Sequence, residues 1–110
     1  MASLHDVEHF YALNRAAWRA WLSANHHTEK AVWVIYDKGP QNGISYNEIV
    51  EEALCFGWID SVGGKVDDKQ TKLYISVRKP KSAWSKSNKQ RVEMLTEAGL
   101  IMPAGMRAID

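Results

Sequence analysis

Ser45-Tyr46-Asn47-Glu48-Ile49-Val50-Glu51-Glu52-Ala53-Leu54-Cys55-Phe56-Gly57-Trp58-Ile59-Asp60 is the stretch whose reading decides the fold. Ser45 is placed to cap the backbone N–H of Glu48, and the Glu48 side chain to return the bond, which is a capping box. Tyr46, Ile49, Val50, Ala53 and Leu54 then follow the i, i+3, i+4, i+7, i+8 spacing of a core-facing helix. Gly57 is the natural residue to stop it. From Trp58 to Val66 the pattern reads as a strand, so one helix hands directly into a sheet.

Working outward, Lys72 to Arg78 reads as the hairpin partner of that strand, with the turn in Asp67-Asp68-Lys69-Gln70-Thr71. Leu73, Ile75 and Val77 alternate with Tyr74, Ser76 and Arg78, giving one apolar face. Upstream, Ala31-Val32-Trp33-Val34-Ile35-Tyr36 is short, β-branched and aromatic, and apolar on both faces, so it reads as a central strand. Asn14 is a plausible N-cap for a first helix to about Asn25, with Ala17, Trp18, Trp21 and Leu22 inward. Downstream, Ser85 caps a last helix to about Ala98, with Val92, Leu95 and Ala98 inward and Gly99 as the stop. Met102-Pro103-Ala104-Gly105-Met106 resembles the start of a further, very short helix. The expected order is α-β-α-β-β-α. It makes an α+β fold with a small, mostly antiparallel sheet and helices packed on it.

Composition excludes several classes. Apolar residues at 45% and charged residues at 25% exclude a disordered chain, because enough apolar surface is present to offset ordering entropy. The 110 residues fit one domain with one core. Cys55 is the only cysteine and lies in an apolar run, so it reads as a buried hydrophobe in a reducing compartment. Met1 to Phe10 carries His and acids where a signal peptide needs an apolar stretch. No apolar run approaches the ~20 residues of a membrane span. The expectation is a cytoplasmic protein without membrane insertion.

The charge is unevenly spread. Residues 69–92 hold eight lysines and arginines and no acid, in a chain of net charge +1. Within them, Lys86 and Lys89 stand in the first turn of the last helix, where the positive end of the dipole favours acids. Such local conflicts concentrate at functional sites. A bound anion resolves this one, with Arg78, Ser82, Ser85 and Lys86 as donors and Trp58, Trp84 and Asp60 shaping the pocket. A solvated lysine face with serine caps fits the same residues, and the sequence leaves both readings open. A small anionic ligand is therefore the expected partner, with a protein partner also open. Nucleic acid is disfavoured by the near-neutral balance.

Asp60 is the second feature. With the hairpin centred on Lys69 it stands opposite Arg78, either as an ion pair or as a ligand-contacting or catalytic acid–base group. A one-residue slip would move it to the core face. Other chemistry is thin. His5 and His9 lack a third ligand in the pattern, so neither a metal nor a cofactor is expected. His26-His27 suits the carboxyl end of the first helix. Glu48, Glu51 and Glu52 read as a solvated helix face. Phosphate-binding loops, dinucleotide fingerprints and nucleophile elbows are absent from the sequence.

Several of these stretches together resemble the bacterial YdeI/OmpD-associated family, also labelled bacteriocin-protection proteins. They are Trp18-Arg19-Ala20-Trp21-Leu22 with Asn25-His26, Val32-Trp33-Val34 leading to Lys38, and Glu52-Ala53-Leu54-Cys55-Phe56-Gly57-Trp58-Ile59-Asp60. Downstream are Arg78-Lys79-Pro80, Ser82-Ala83-Trp84-Ser85, Asn88 and Ala98-Gly99-Leu100-Ile101-Met102. The likeness covers roughly residues 10–106. It implies a relation to the YjbR/CyaY-like superfamily, an α+β fold with an antiparallel sheet, and a role in tolerance to antimicrobial peptides. It names no reaction. It further implies a helical region after the final Gly-Met segment, which is short or absent here. The family's characteristic positions map onto Lys38, Trp58, Ile59, Asp60, Arg78, Ser82, Trp84, Ser85 and Asn88.

Overall fold

The computed structural model describes residues 7–39, 43–79 and 84–109. Eight elements follow one another: β1 (His9–Tyr11), α1 (Arg15–Asn25), β2 (Ala31–Asp37), α2 (Tyr46–Cys55), β3 (Trp58–Lys65), β4 (Gln70–Val77), α3 (Lys86–Glu97) and α4 (Pro103–Ile109). The class is α+β. The order adds an opening strand and a closing helix to the expected α-β-α-β-β-α. The sheet runs β1-β2-β4-β3 and is mixed: β2 and β3 are antiparallel to β4, whereas β1 is parallel to β2. β1 escapes sequence reading because three residues carry no period. It is held by long-range bonds, Trp33 N–H to the Glu8 carbonyl and Ala12 N–H to the Ile35 carbonyl, both at 2.8 Å.

The three longer helices begin at the caps the sequence indicates. Asn14 Oδ1 accepts from Ala17 N–H at 2.8 Å. Ser45 and Glu48 exchange both bonds of the capping box, at 3.1 and 2.9 Å. Ser85 Oγ accepts from Asn88 N–H at 3.1 Å. Gly57 and Gly99 end α2 and α3 with φ of 81° and 73°, the left-handed region a side chain disfavours.

The helices share one core with the sheet face that carries Val32, Val34, Leu73, Ile75 and Trp58. Inside it Trp18 stacks on Trp21 with centroids 5.6 Å apart, and Trp21 meets the edge of Trp58 at 5.9 Å. The Trp18 indole N–H is satisfied by the Ile49 carbonyl at 3.0 Å. Two expected inward residues are not inward. Tyr46 is exposed because it opens α2 and turns toward the sheet edge, and Ala98 is exposed because it caps α3 at the surface.

The hairpin differs from the expected register. Its turn spans residues 66–69, because Asp67 Oδ1 accepts from both Lys69 and Gln70 N–H at 2.8 Å and starts β4 early. With that turn and the register shift just after Asp60, Asp60 pairs with Ile75, not with Arg78, and lies on the core face at the sheet edge. Between Asp60 and Gly63 the register shifts by one, so Ser61 and Val62 together face Tyr74 in a β-bulge.

α4 is docked by close backbone approach. Met102 N–H donates to the Cys55 carbonyl at 2.9 Å, and a Cβ on the buried Gly105 would collide with that same carbonyl.

Candidate functional site

Arg78 leaves the end of β4 with its N–H bonded to the Gly57 carbonyl at 3.0 Å. Its guanidinium lies 4.1 Å over the Trp84 ring. Trp84 is half-buried and packs against the core, and Ser85 follows as the cap of α3. The first turn of α3 holds no acid, so Lys86 stands exposed beside N–H groups that the helix itself does not bond. Asn88 accepts from Arg91 Nη1 at 2.9 Å, while Arg91 Nη2 donates to Asn47 Oδ1 at 2.7 Å, which ties α3 to the start of α2. Next to Asn47, the Tyr46 hydroxyl donates to Asp60 Oδ2 at 2.7 Å. That bond to a carboxylate, with burial second, pushes the Tyr46 phenol up to about 12.

The fold thus gathers Arg78, Trp84, Ser85, Lys86 and Asn88 at the amino end of α3, with Asp60 linked to it through Tyr46, Asn47 and Arg91. It does not bring in the rest of the expected set. Trp58 is a core residue, 1% exposed. Lys38 bonds by its N–H to the Lys69 carbonyl at 2.8 Å, at the hairpin-turn end of the sheet. Lys69 is six residues from Ile75, the partner of Asp60, or roughly 20 Å at about 3.3 Å per residue. Ser82 lies outside the described residues, as does His5.

The basic run 69–92 does not form one stripe. Lys69 sits in the hairpin turn. Lys72 reaches across the sheet face away from the helices, with Nζ 4.4 Å over Trp33 and 3.2 Å from His9 Nε2. Arg91 points back to α2. Among the described residues, neighbours in sequence are thus dispersed in space.

The acids of α2 are not a solvated face. Glu52 is 2% exposed, and it accepts from Arg15 Nε and from Arg19 Nη1, each at 2.6 Å. Glu51 meets Arg15 Nη1 at 3.0 Å. Burial works against both guanidinium charges, but the bonds to Glu52 outweigh it and hold both above their ordinary values. Arg15 with Arg19, and Glu48 with Glu52, each stand four apart, and that spacing is the signal that points to this pairing.

A family model matches residues 10–108, from within β1 to within α4. The chain belongs to the family described as Domain of unknown function (DUF8412). No curated protein and no solved structure matches it. The DUF8412 match spans the whole set from Asn14 to Arg107 described above, so the Glu52 network, the Arg78–Trp84 stack and the α4 docking all fall within the family's own extent. Among the described residues of this DUF8412 chain no group of three His, Cys, Asp or Glu is placed to hold a metal ion, and no helix is long and apolar enough to cross a membrane.

Proposed function

We propose that this protein is a cytoplasmic binding module that takes a small anionic group at the amino end of α3. It would act as an accessory in stress or antimicrobial-peptide tolerance, as the YdeI/OmpD-associated resemblance implies. The observation that supports the anion is the Arg78 guanidinium held 4.1 Å over Trp84, directly before the Ser85 cap. A guanidinium held over an aromatic ring suits the recognition of a planar or tetrahedral oxyanion. The positive end of α3, Lys86 and the absence of acid in that turn add to the same field.

Calorimetric titration with inorganic phosphate and with phosphate-bearing metabolites tests this reading. Saturable binding that Arg78→Ala with Ser85→Ala weakens by about tenfold or more supports it. An absence of heat, or binding unchanged in the double variant, counts against it.

A second reading has Asp60 as an acid–base group of a small-molecule enzyme. Its support is the bulge beside it, a feature common next to active sites. A turnover lost in Asp60→Asn and kept in Arg78→Ala would favour the enzyme over the module.

A further inference from the structure

The carboxyl end of α1 and the short α4 enclose a cavity of ≈250 Å³ that neither reading above uses. Its lining divides by chemistry. Phe56, Met102 and Pro103 make an apolar floor, while Ser23, His27 and Arg107 stand around it.

The floor is held in place. The Phe56 ring has the His26 ring 5.0 Å away and the Arg19 guanidinium 5.4 Å away. Met102 is pinned through its N–H to the Cys55 carbonyl, and Gly105 brings α4 against the same carbonyl. The apolar side of the cavity is therefore set by docked elements.

The rim is uncommitted. The Ser23 hydroxyl, the ring nitrogens of His27 and the Arg107 guanidinium have no hydrogen-bond or ion-pair partner among the described residues. His26 is different. Its Nδ1 lies 2.8 Å from the Leu22 carbonyl, and a carbonyl only accepts, so Nδ1 carries the proton and the ring is fixed against Phe56. The cleft between α2 and α3 makes the contrast. It is similar in size, at ≈290 Å³, but Arg91 there is tied to Asn47 and Asn88, and Glu51 is tied to Arg15.

We propose that the α1–α4 cavity binds a small organic monocarboxylate. Its ring or short chain lies on Phe56 and Met102, and its carboxylate meets Arg107, with Ser23 and His27 as further donors. A guanidinium matches the two oxygens of a carboxylate in a single plane. The volume falls below the roughly 300–1,000 Å³ of pockets for drug-sized ligands, which selects a small molecule. An apolar floor beneath an anion-pairing rim selects a body as well as a charge, so a bare ion gains little here.

The test is a ¹H–¹⁵N NMR titration of the full chain with benzoate, benzyl alcohol and acetate at neutral pH. Benzoate is expected to shift the amides of Ser23, His27, Met102 and Arg107 saturably, and to bind about fivefold or more tighter than either other probe. Arg107→Gln, an exposed change, is expected to reduce benzoate to the level of benzyl alcohol. Equal binding of acetate and benzoate overturns the proposal, since the floor is then unused. Equal binding of benzyl alcohol and benzoate also overturns it, since the charge is then unused. Benzoate shifts confined to Arg78 and Trp84 overturn it as well, and they report on the α3 site separately.

Discussion

Arg19 Nη1 donates to Glu52 Oε1 at 2.6 Å, joining the exposed flank of α1 to a carboxylate that is almost wholly buried on α2. Arg15 holds the other oxygen of the same group at 2.6 Å. Two of the four helices are thus fastened through one side chain, and the asymmetry of burial sets what each removal costs. Glu52 lies at 2% exposure, whereas the two arginine side chains lie near one-third. Replacing both arginines by methionine leaves the carboxylate buried and unpaired, and is expected to cost about 3–5 kcal/mol in urea unfolding. Glu52→Ala leaves two guanidinium groups that water can still reach, so its cost is expected to be smaller, about 2–3 kcal/mol.

The Tyr46–Asp60 bond predicts a titration. The Tyr46 phenol, raised from 10.0 to about 12 first by its bond to Asp60, is expected to ionise late in a spectroscopic titration. Asp60→Asn brings it back toward 10.0. The sign for stability follows from a folded value above the unfolded one. The bond contributes fully below pH 10 and is lost as pH rises toward 12. A Tyr46 titration unchanged in Asp60→Asn would remove the bond as the cause.

Gly105→Ala is expected to loosen α4. The new Cβ meets the Cys55 carbonyl, a backbone atom that cannot swing aside, and overpacking of this kind costs about 1–3 kcal/mol. Amide exchange in residues 103–109 should rise while β4 stays protected. Gly99→Ala, where the new Cβ meets nothing within 4 Å but φ is 73°, should cost about 1 kcal/mol through the backbone alone.

Cys55 is fully buried, and burial first, then the neighbouring Glu52 charge, pushes its thiol above the ordinary value. Labelling by a disulfide reagent at pH 7 is expected to be slow in the native protein and fast in urea. Fast labelling of the folded chain would show that α4 and α2 separate readily.

Trp58→Ala is expected to cost about 3–5 kcal/mol, as for other large aromatic truncations in a core. Trp84→Ala, at a half-buried position, should cost less in thermal unfolding. It should weaken phosphate binding where Trp58→Phe does not.

What the sequence determined by itself was local: the caps at Asn14, Ser45 and Ser85, the stops at Gly57 and Gly99, and the apolar stripes of Trp18, Trp21, Leu22 and of Ile49, Val50, Ala53, Leu54. Each depends on residues within one or two turns of one another, and short-range chemistry is written in short-range spacing. The amino end of α3 was legible for the same reason, because Ser85, Lys86 and Asn88 are neighbours in the chain. Tertiary structure alone decided the rest. It set β1 beside β2, the bulge that turns Asp60 to the core face, the burial of Glu52 between two arginines, Trp58 in the core and Lys38 at the far end of the sheet. These are outcomes of packing among residues far apart in the chain, such as Arg15 and Glu52 or Trp21 and Trp58, where no local pattern records which face meets which.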